Sequence, residues 1–497
     1  MSEVGVVVQT SEIPVAAFVP YDTGNAFIVG EADWGPANTA VAINSLAEAA
    51  QIIGAPQVGA PNAARSTTNA TLFDAIDTFF REGPISASCY ISRVVGPSPV
   101  NASLVLLDGS SSQSLTVTAS YPGVGGNSIH VAVAVSGPNF TITLSDANGN
   151  TLAVSPSLSS KAAAVTWFAT TGYATATAGS GSTPASLSAT PLTGGTDNMG
   201  SATITQWQAA INSFGAGLGP GQVLAPGQTN TTLSGIWSAL GTHAQNNNRI
   251  ALCDMDDNQS AATLVTDIGA FGTGSVASYC GFWAANLRIP GIVPATYRVI
   301  SPSPVIAALC ARADALGNPN LMAAGGNFPL QYVTGPNSIV SGSLSPYNDN
   351  DISTLNSAGI NTFRNTFGQF ENYGFVASIP QTSDLTYYQL NHGRLRMAIE
   401  SDANVIGQPY VFSQLDGQGS DIAQFNSDLQ AMLQGYYAEG ALFGAAATDA
   451  FSVDTTTPNT PTTLSEGELN ANLNVRMSPG AQLVQIGVNV VPVTQTV

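Results

Sequence analysis

Apolar and polar positions alternate along this chain in two rhythms, one with a period of two and one with a period near three and a half. In residues 1–20, Val4, Val6 and Val8 alternate with small or apolar neighbours, and Pro14 and Pro20 forbid a helix, so the stretch reads as an extended arm. The apolar run Ala26–Val29, closed by Gly30, predicts a short strand. Ser45 with Glu48 three residues on is a capping-box pattern, opening a helix that Gly54 closes. Thr71 and Asp74 repeat that spacing before the stripe Leu72, Phe73, Ile76, Phe79 and Phe80, a helix ended by Gly83. Cys89–Val95 is the next strand.

Near residue 97 the pattern changes. Between Asn101 and Leu240 the only charged residues are Asp108, Asp146, Lys161 and Asp197. Strands are predicted at Leu115–Ala119, Ile129–Val135 and Phe140–Leu144, with a hairpin turn at Asp146–Asn150. Residues 98–195 read as an inserted all-β module, and the Ala/Ser/Thr tract 174–190 as a loose connector. Beyond 197, helices and strands alternate again. Ile250–Cys253 is a short buried strand ending in carboxylates. Ser303 and Pro304 open a helix, Val305–Leu316, that Gly317 closes. Ile360, Phe363 and Phe367 mark another helix, and Arg394–Glu400 a further one with an Arg396–Glu400 pair. A longer helix, Asp421–Tyr437, carries the stripe Ile422, Phe425, Leu429, Met432, Leu433 and Tyr436. Finally Val484, Ile486, Val488 and Val490 alternate with Gln485, Gly487 and Asn489. A strand with one apolar face and open edges must pair, within its own subunit or with another.

Composition narrows the function. The 497 residues suggest about three or four domains, and 44% hydrophobic content is ample for folded cores. Charged residues are 9%, the net charge is −19, and Lys161 is the only lysine. No basic patch is available to grip phosphates, which excludes nucleic-acid binding. Cys89, Cys253, Cys280 and Cys310 lie far apart in hydrophobic contexts, as buried thiols rather than metal ligands or disulfides. No signal peptide and no membrane span is expected, so the protein is expected to be made in, and soluble in, a cytoplasm. Asn69, Asn101 and Asn230 then head chance sequons.

Ile250–Asp257 ends in a DxD pattern, by which some phosphatases present a nucleophile and a magnesium ligand. That chemistry needs a downstream lysine, and Lys161 lies upstream. Asp254, Asp256 and Asp257 therefore read as a solvated strand end, with a fortuitous divalent cation as the alternative. The single lysine also removes a P-loop and, in its Ser-Ser-Lys-Ala-Ala setting, a Schiff base. His130, His243 and His392 are scattered without ligand spacing, and no serine element accompanies His392-Gly393. The glycine-rich Pro122–Asn127 lies between strands and reads as a turn, not a dinucleotide cradle. No catalytic, cofactor-binding or metal residue is assigned.

The order of segments resembles the contractile tail sheath proteins of bacteriophages and related injection machines. Asn25–Pro36, the helix Val41–Gly54, and Leu72–Val95 with Phe79-Phe80, Gly83, Cys89-Tyr90 and Arg93 each resemble a family segment, although Trp34 replaces a usual basic residue. Ala119–Asn127 resembles the turn of the family's β module, with Val124 and Gly125 where an aromatic is common. Ser301-Pro-Ser-Pro and Ala311–Gly317 continue the likeness, and Leu355–Arg364 is its most specific motif. Arg394–Glu400, Phe412 and Gly440–Gly444 are similar to the closing domain.

The resemblance implies a multidomain α/β chain: an N-terminal arm (1–20), a first body part (21–97), an inserted β-sandwich-like module (98–195), a subtilisin-like α/β body without its catalytic triad (196–380), a closing α/β sheath domain (381–480) and a C-terminal strand arm (481–497). It implies a non-enzymatic virion subunit, assembled in the host cytoplasm as stacked six-fold rings around a tail tube. Contraction without nucleotide hydrolysis would drive the tube through the host envelope and serve genome ejection. Val4, Val6 and Val8, with Val484, Ile486, Val488 and Val490, would be exchanged strands between neighbours. Arg394, Arg396, Asp421, Asp428 and Glu439 would be candidate tube contacts. The implied partners are further copies, the tube, the baseplate and the tail terminator or neck proteins, with no cofactor, nucleic acid or membrane insertion. A secreted or surface-layer β-rich structural protein is the alternative, and it predicts the missing signal peptide.

Overall fold

A computed structural model describes residues 23–54 and 71–486 apart from 273, 275, 292, 293, 380, 381 and 383. The described residues form two compact units, 23–397 with 479–486, and 398–478. In the larger unit, β1 (Ala26–Glu31), β2 (Val41–Ile43) and β3 (Cys89–Val94) come first. They are followed by β4 (Ser103–Leu107), β5 (Gln113–Ala119), β6 (His130–Ser136), β7 (Asn139–Ser145), β8 (Thr151–Val154), β9 (Ala174–Ala178) and β10 (Leu187–Pro191). The chain then returns through β11 (Gln222–Leu224), β12 (Ile250–Asp254), β13 (Cys280–Trp283), β14 (Leu287–Pro290), β15 (Tyr297–Ile300), β16 (Gly335–Pro336), β17 (Ile360–Thr366) and β18 (Gln369–Tyr373).

An eight-stranded sheet in the order β18-β17-β13-β12-β11-β1-β3-β2 organises this unit. Its six inner strands run parallel, while β2 and β18 pair antiparallel at the edges. Helices cover both faces, so apolar residues must point both ways along one strand. Ala26 and Ile28 join the core under helices Leu46–Ile53, Thr71–Glu82 and Pro302–Asp314. Phe27 and Val29 join the opposite core under helices Ile204–Asn212, Ile236–Asn246 and Ala261–Phe271. Burying each side chain of this size contributes roughly 1.5–3 kcal/mol, which accounts for the unbroken apolar run.

The first helix forms as its signals predict: Ser45 Oγ accepts from Glu48 N at 3.2 Å, Glu48 accepts from Asn44 N at 2.8 Å, and Gly54 ends it at φ 77°. The helix expected from Ser303 begins two residues earlier, with Ser301 at the N-cap position and Pro302 in first place. The helix expected at 360–367 is strand β17. Ile360 and Phe363 are an odd number of residues apart, which in a strand means opposite faces, and both faces are buried.

Residues 103–191 hold two antiparallel sheets, β4-β5-β9 and β10-β6-β7-β8. The expectation of an all-β module is corrected by the helix Lys161–Thr171, whose Ala164 and Phe168 join the shared core with Leu115, Val131 and Phe140. Only two residues of that helix are fully buried, too few to give a periodic signal. The tract 174–190 is not a loose connector either, because β9 and β10 are built from it. Its threonines suit a pleated, half-buried surface.

The smaller unit contains the helix Ser420–Ala438 and an antiparallel pair, β19 (Phe451–Asp454) and β20 (Asn472–Val475). Leu429, Met432, Leu433 and Tyr436 of the expected stripe are buried, and Ile422 and Phe425 half-buried. Among the described residues no helix is long and apolar enough to cross a membrane.

Candidate functional site

In an open parallel sheet, ligands bind beyond the carboxyl ends of the strands where chain order reverses, here between β1 and β11. The polar groups at that edge are committed to the chain itself. Asp254, at the end of β12, is buried and accepts from Ser303 N at 2.8 Å, Ser303 Oγ at 2.7 Å and Gly227 N at 3.0 Å. Burial pushes its carboxyl above the usual range, against the pull of these hydrogen bonds. Asp256 accepts from the hydroxyls of Thr229 and Thr231. Asp257 accepts from Asn286 N at 3.0 Å, Asn337 Nδ2 at 2.7 Å and Ser338 Oγ at 3.0 Å. The reading of these aspartates as a solvated strand end is therefore corrected: each ties down a loop. No cluster of three metal-ligating side chains occurs among the described residues.

Arg93, buried on β3, closes the neighbouring stretch. Its Nε donates to Ala32 O at 2.6 Å, and its Nη1 to Gly35 O at 2.9 Å and Pro122 O at 2.8 Å. One guanidinium thus joins the loop after β1 to the turn between β5 and β6. A Cβ on Gly123 would lie 2.4 Å from Arg93 Nη2, and one on Gly125 would lie 2.5 Å from Asp33 O. The glycines of Pro122–Asn127 serve this close approach. Burial lowers the Arg93 pKa to about 10, while Asp197 and Asp33 oppose the shift. Glu31, at the end of β1, is raised to about 7 by burial and then by the charges of Asp197 and Asp33.

The remaining reactive side chains have structural partners as well. His243 lies 2.8 Å from Arg249 Nη1 and is pushed down to about 4, first by burial and then by that cation. His392 Nδ1 lies 2.5 Å from Thr386 O, and Lys161 donates to the carbonyls of Gly179 and Gly181. All four cysteines are buried and free. Sequence reasoning missed the cluster in which Arg298 meets Asp77 at 2.6 Å and also pairs with Asp74, and the buried Glu82 that accepts from the backbone of residues 331–333. The acids Asp74, Asp77 and Glu82 stand on one helix, and their spacing, with Arg81 four residues after Asp77, was the available signal.

Of the residues expected to face a tube, Arg394 is corrected. It is fully buried, paired with Asp314 and donating to Cys310 O at 3.0 Å and Pro319 O at 3.1 Å. Arg396 is half-buried, its guanidinium 4.0 Å from the Tyr279 ring centroid. Asp428 accepts from Tyr410 Oη at 2.6 Å; Asp421 is half-exposed and Glu439 exposed. Of the arm residues, Val4, Val6, Val8, Val488 and Val490 lie outside the described residues. Val484 and Ile486 are 74% and 82% exposed and belong to no strand.

No family model matches the chain, and no curated protein does. Solved structures do. The sheath tail protein of Desulfitobacterium hafniense is 12% identical with a TM-score of 0.61, the match covering 91% of this chain and 93% of that one. The PVC sheath complex of an extracellular contractile injection system, in the contracted state, is 12% identical over 98% of both chains, with a TM-score of 0.57. A chain of the anti-feeding prophage baseplate is 15% identical over 98% of this chain and 99% of that one, with a TM-score of 0.55. The chain has the mixed α/β, multidomain fold of contractile tail sheath proteins.

Proposed function

We propose that this chain is the structural subunit of a contractile tail sheath, polymerising as stacked six-fold rings around a tail tube and contracting without nucleotide hydrolysis. The observation that carries the reading is the shared fold along 98% of the chain with proteins of contracted sheath and baseplate. The closed strand ends support it, since Asp254 and Arg93 are used to fasten loops rather than left open to a substrate.

In this reading the large parallel sheet is the subtilisin-like body, 98–195 is an insertion and 381–480 the closing domain. The exposed Val484 and Ile486 begin a strand that completes a neighbour's sheet, main-chain hydrogen bonds giving affinity and alternating valines giving register. The N-terminal arm, with Val4, Val6 and Val8, does the same. The arms keep the lattice linked while near-rigid subunits rotate and slide. With Arg394 enclosed, Asp421 and Glu439 are the better tube contacts. Baseplate and neck proteins cap the polymer, and the assembled sheath belongs to a tail built in the host cytoplasm.

Negative-stain electron microscopy of the purified protein over a concentration series tests this. Regular hollow tubes are expected, alone or with a tube protein. Dispersed subunits under both conditions would reject the reading.

A further inference from the structure

Two phenylalanines stand where such side chains gain nothing from their own subunit. Phe367, at the tip of the β17–β18 hairpin, and Phe412, ahead of the helix Ser420–Ala438, are both fully exposed. Both hold a left-handed backbone, with φ 52° and 65°. That conformation is costly for a bulky residue, and an exposed ring returns no burial energy to offset it.

Beside Phe367 lies a groove of about 850 Å³, flanked by β16 and β18, each the edge of its sheet. Tyr297, Ile339 and Leu344 form an exposed apolar rim. Arg288 is the one charged residue of its lining among the described residues. Its guanidinium packs over the Tyr297 ring at 4.5 Å, its Nη2 donates to Asn337 O at 3.0 Å, and its buried Nε has no acceptor. In a chain with 31 acidic and 12 basic residues, a groove with one cation and no carboxylate is complementary to a segment both apolar and acidic. The Phe412 loop is such a segment. Val411 is exposed beside Phe412, and Asp416 follows, its carboxyl held below the usual range by hydrogen bonds from Ser420.

We propose that Phe412 and its loop, in one copy of this chain, seat in the groove beside Phe367 of a second copy, with Asp416 near Arg288. The inference rests on the sheath reading and adds an interface to it beyond the exchanged arms. Knob and groove are different stretches of the chain, so the contact is heterologous: every copy offers both, and the contact repeats from copy to copy.

The test places Leu344→Cys and Phe412→Cys in one full-length chain and oxidises it with copper phenanthroline under polymerising conditions. The native cysteines are buried, so the new thiols report alone. A ladder of covalent multimers is expected from the double variant and none from either single variant. Phe412→Ser is expected to raise the critical concentration for assembly roughly tenfold. Tubes without a ladder would overturn the inference while leaving the sheath reading intact, whether the thiol at position 344 stays open to maleimide or is shielded by another segment. If the chain forms no tubes, the sheath reading fails separately. Oxidation at high protein concentration then still decides the contact, a ladder keeping it and monomers ending it.

Discussion

Ser303 meets Asp254 twice, through its backbone N–H at 2.8 Å and its hydroxyl at 2.7 Å, across 49 residues of sequence. The contact fixes the first turn of the helix Pro302–Asp314 to the end of β12, with Gly227 N as a third donor at 3.0 Å. In an enzyme of this architecture a buried acid facing a serine would invite a catalytic role. Here the serine and the acid satisfy each other, and the pair closes the strand ends.

Replacing Asp254 by Ala leaves the two Ser303 donors without an acceptor, while Gly227 N keeps Ser301 Oγ at 2.9 Å, and a loss of about 3 kcal/mol is expected at a cost of roughly 1–3 kcal/mol per orphaned group with partial relaxation. Asp254→Asn keeps one acceptor oxygen and should lose less. Thermal unfolding of the two variants checks the order; equal and negligible shifts in Tm would show that the pair carries no structural weight.

Glu31 gives stability a pH dependence of definite sign. Its pKa rises from 4.5 to about 7 on folding, so between those values the folded chain holds a proton that the unfolded chain has released. The contribution is most favourable below pH 4.5 and declines as pH rises toward 7. Glu31→Gln should remove this slope and gain about 2 kcal/mol at pH 8, after discounting for partial exposure. Urea unfolding of both proteins at pH 5 and pH 8 measures it; an unchanged difference between the two values counts against the burial of Glu31.

Gly123 cannot carry a side chain. Its φ is 126°, and an added Cβ would lie 2.4 Å from Arg93 Nη2. Gly123→Ala should therefore loosen the turn that Arg93 holds, at a cost of about 2 kcal/mol. Limited proteolysis is the direct readout, with faster cutting expected near 96–100 and 193–198, where the chain leaves and re-enters the main sheet region. Gly149→Ala, whose Cβ would meet nothing, is the control for positive φ alone.

Arg394 separates a structural role from a binding role. Removing a buried, paired guanidinium costs about 3–5 kcal/mol because Asp314 loses its cationic partner and the carbonyls of Cys310 and Pro319 each lose a donor. Arg394→Ala should lower Tm sharply, and Arg394→Lys should not rescue it, since one ammonium cannot reproduce the fork. A variant that unfolds normally yet fails to bind a tube would restore the surface role.

What could be read from the sequence was local or periodic. Ser45, Glu48 and Gly54 announce their helix because cap and stop lie within one short segment. The apolar stripe of Ser420–Ala438 repeats often enough to be seen. Asp254 was misread because its donors lie 27 and 49 residues away, at Gly227 and Ser303. The buried Arg394 was misread because an arginine on a helix normally signals a wet face, and only the fold brings Asp314 to it. Ile360 and Phe363 mimicked a helical stripe because a strand buried on both faces loses its alternation, and Phe367, which extended the apparent stripe, is the exposed tip of the hairpin that follows.

The C-terminal segment offers the sharpest separation of folding from assembly. Val484 and Ile486 are exposed and unpaired in any strand, and no core cluster includes residues beyond Phe375, Ala377, Leu390 and Met397 in the larger unit. Ending the chain at residue 483 therefore removes no described core contact, and its Tm should stay within about 2 °C of the full chain, as for surface changes under ~0.5 kcal/mol. Under the proposed arm exchange assembly should respond differently, because the segment would then supply the links between subunits. Light scattering and electron microscopy of the shortened chain should show a folded, monodisperse protein that forms no tubes at concentrations where the full chain does. Tubes from the shortened chain would show that the lattice is held by body contacts alone. Misfolding would show that the segment completes its own subunit, the alternative its alternating valines leave open.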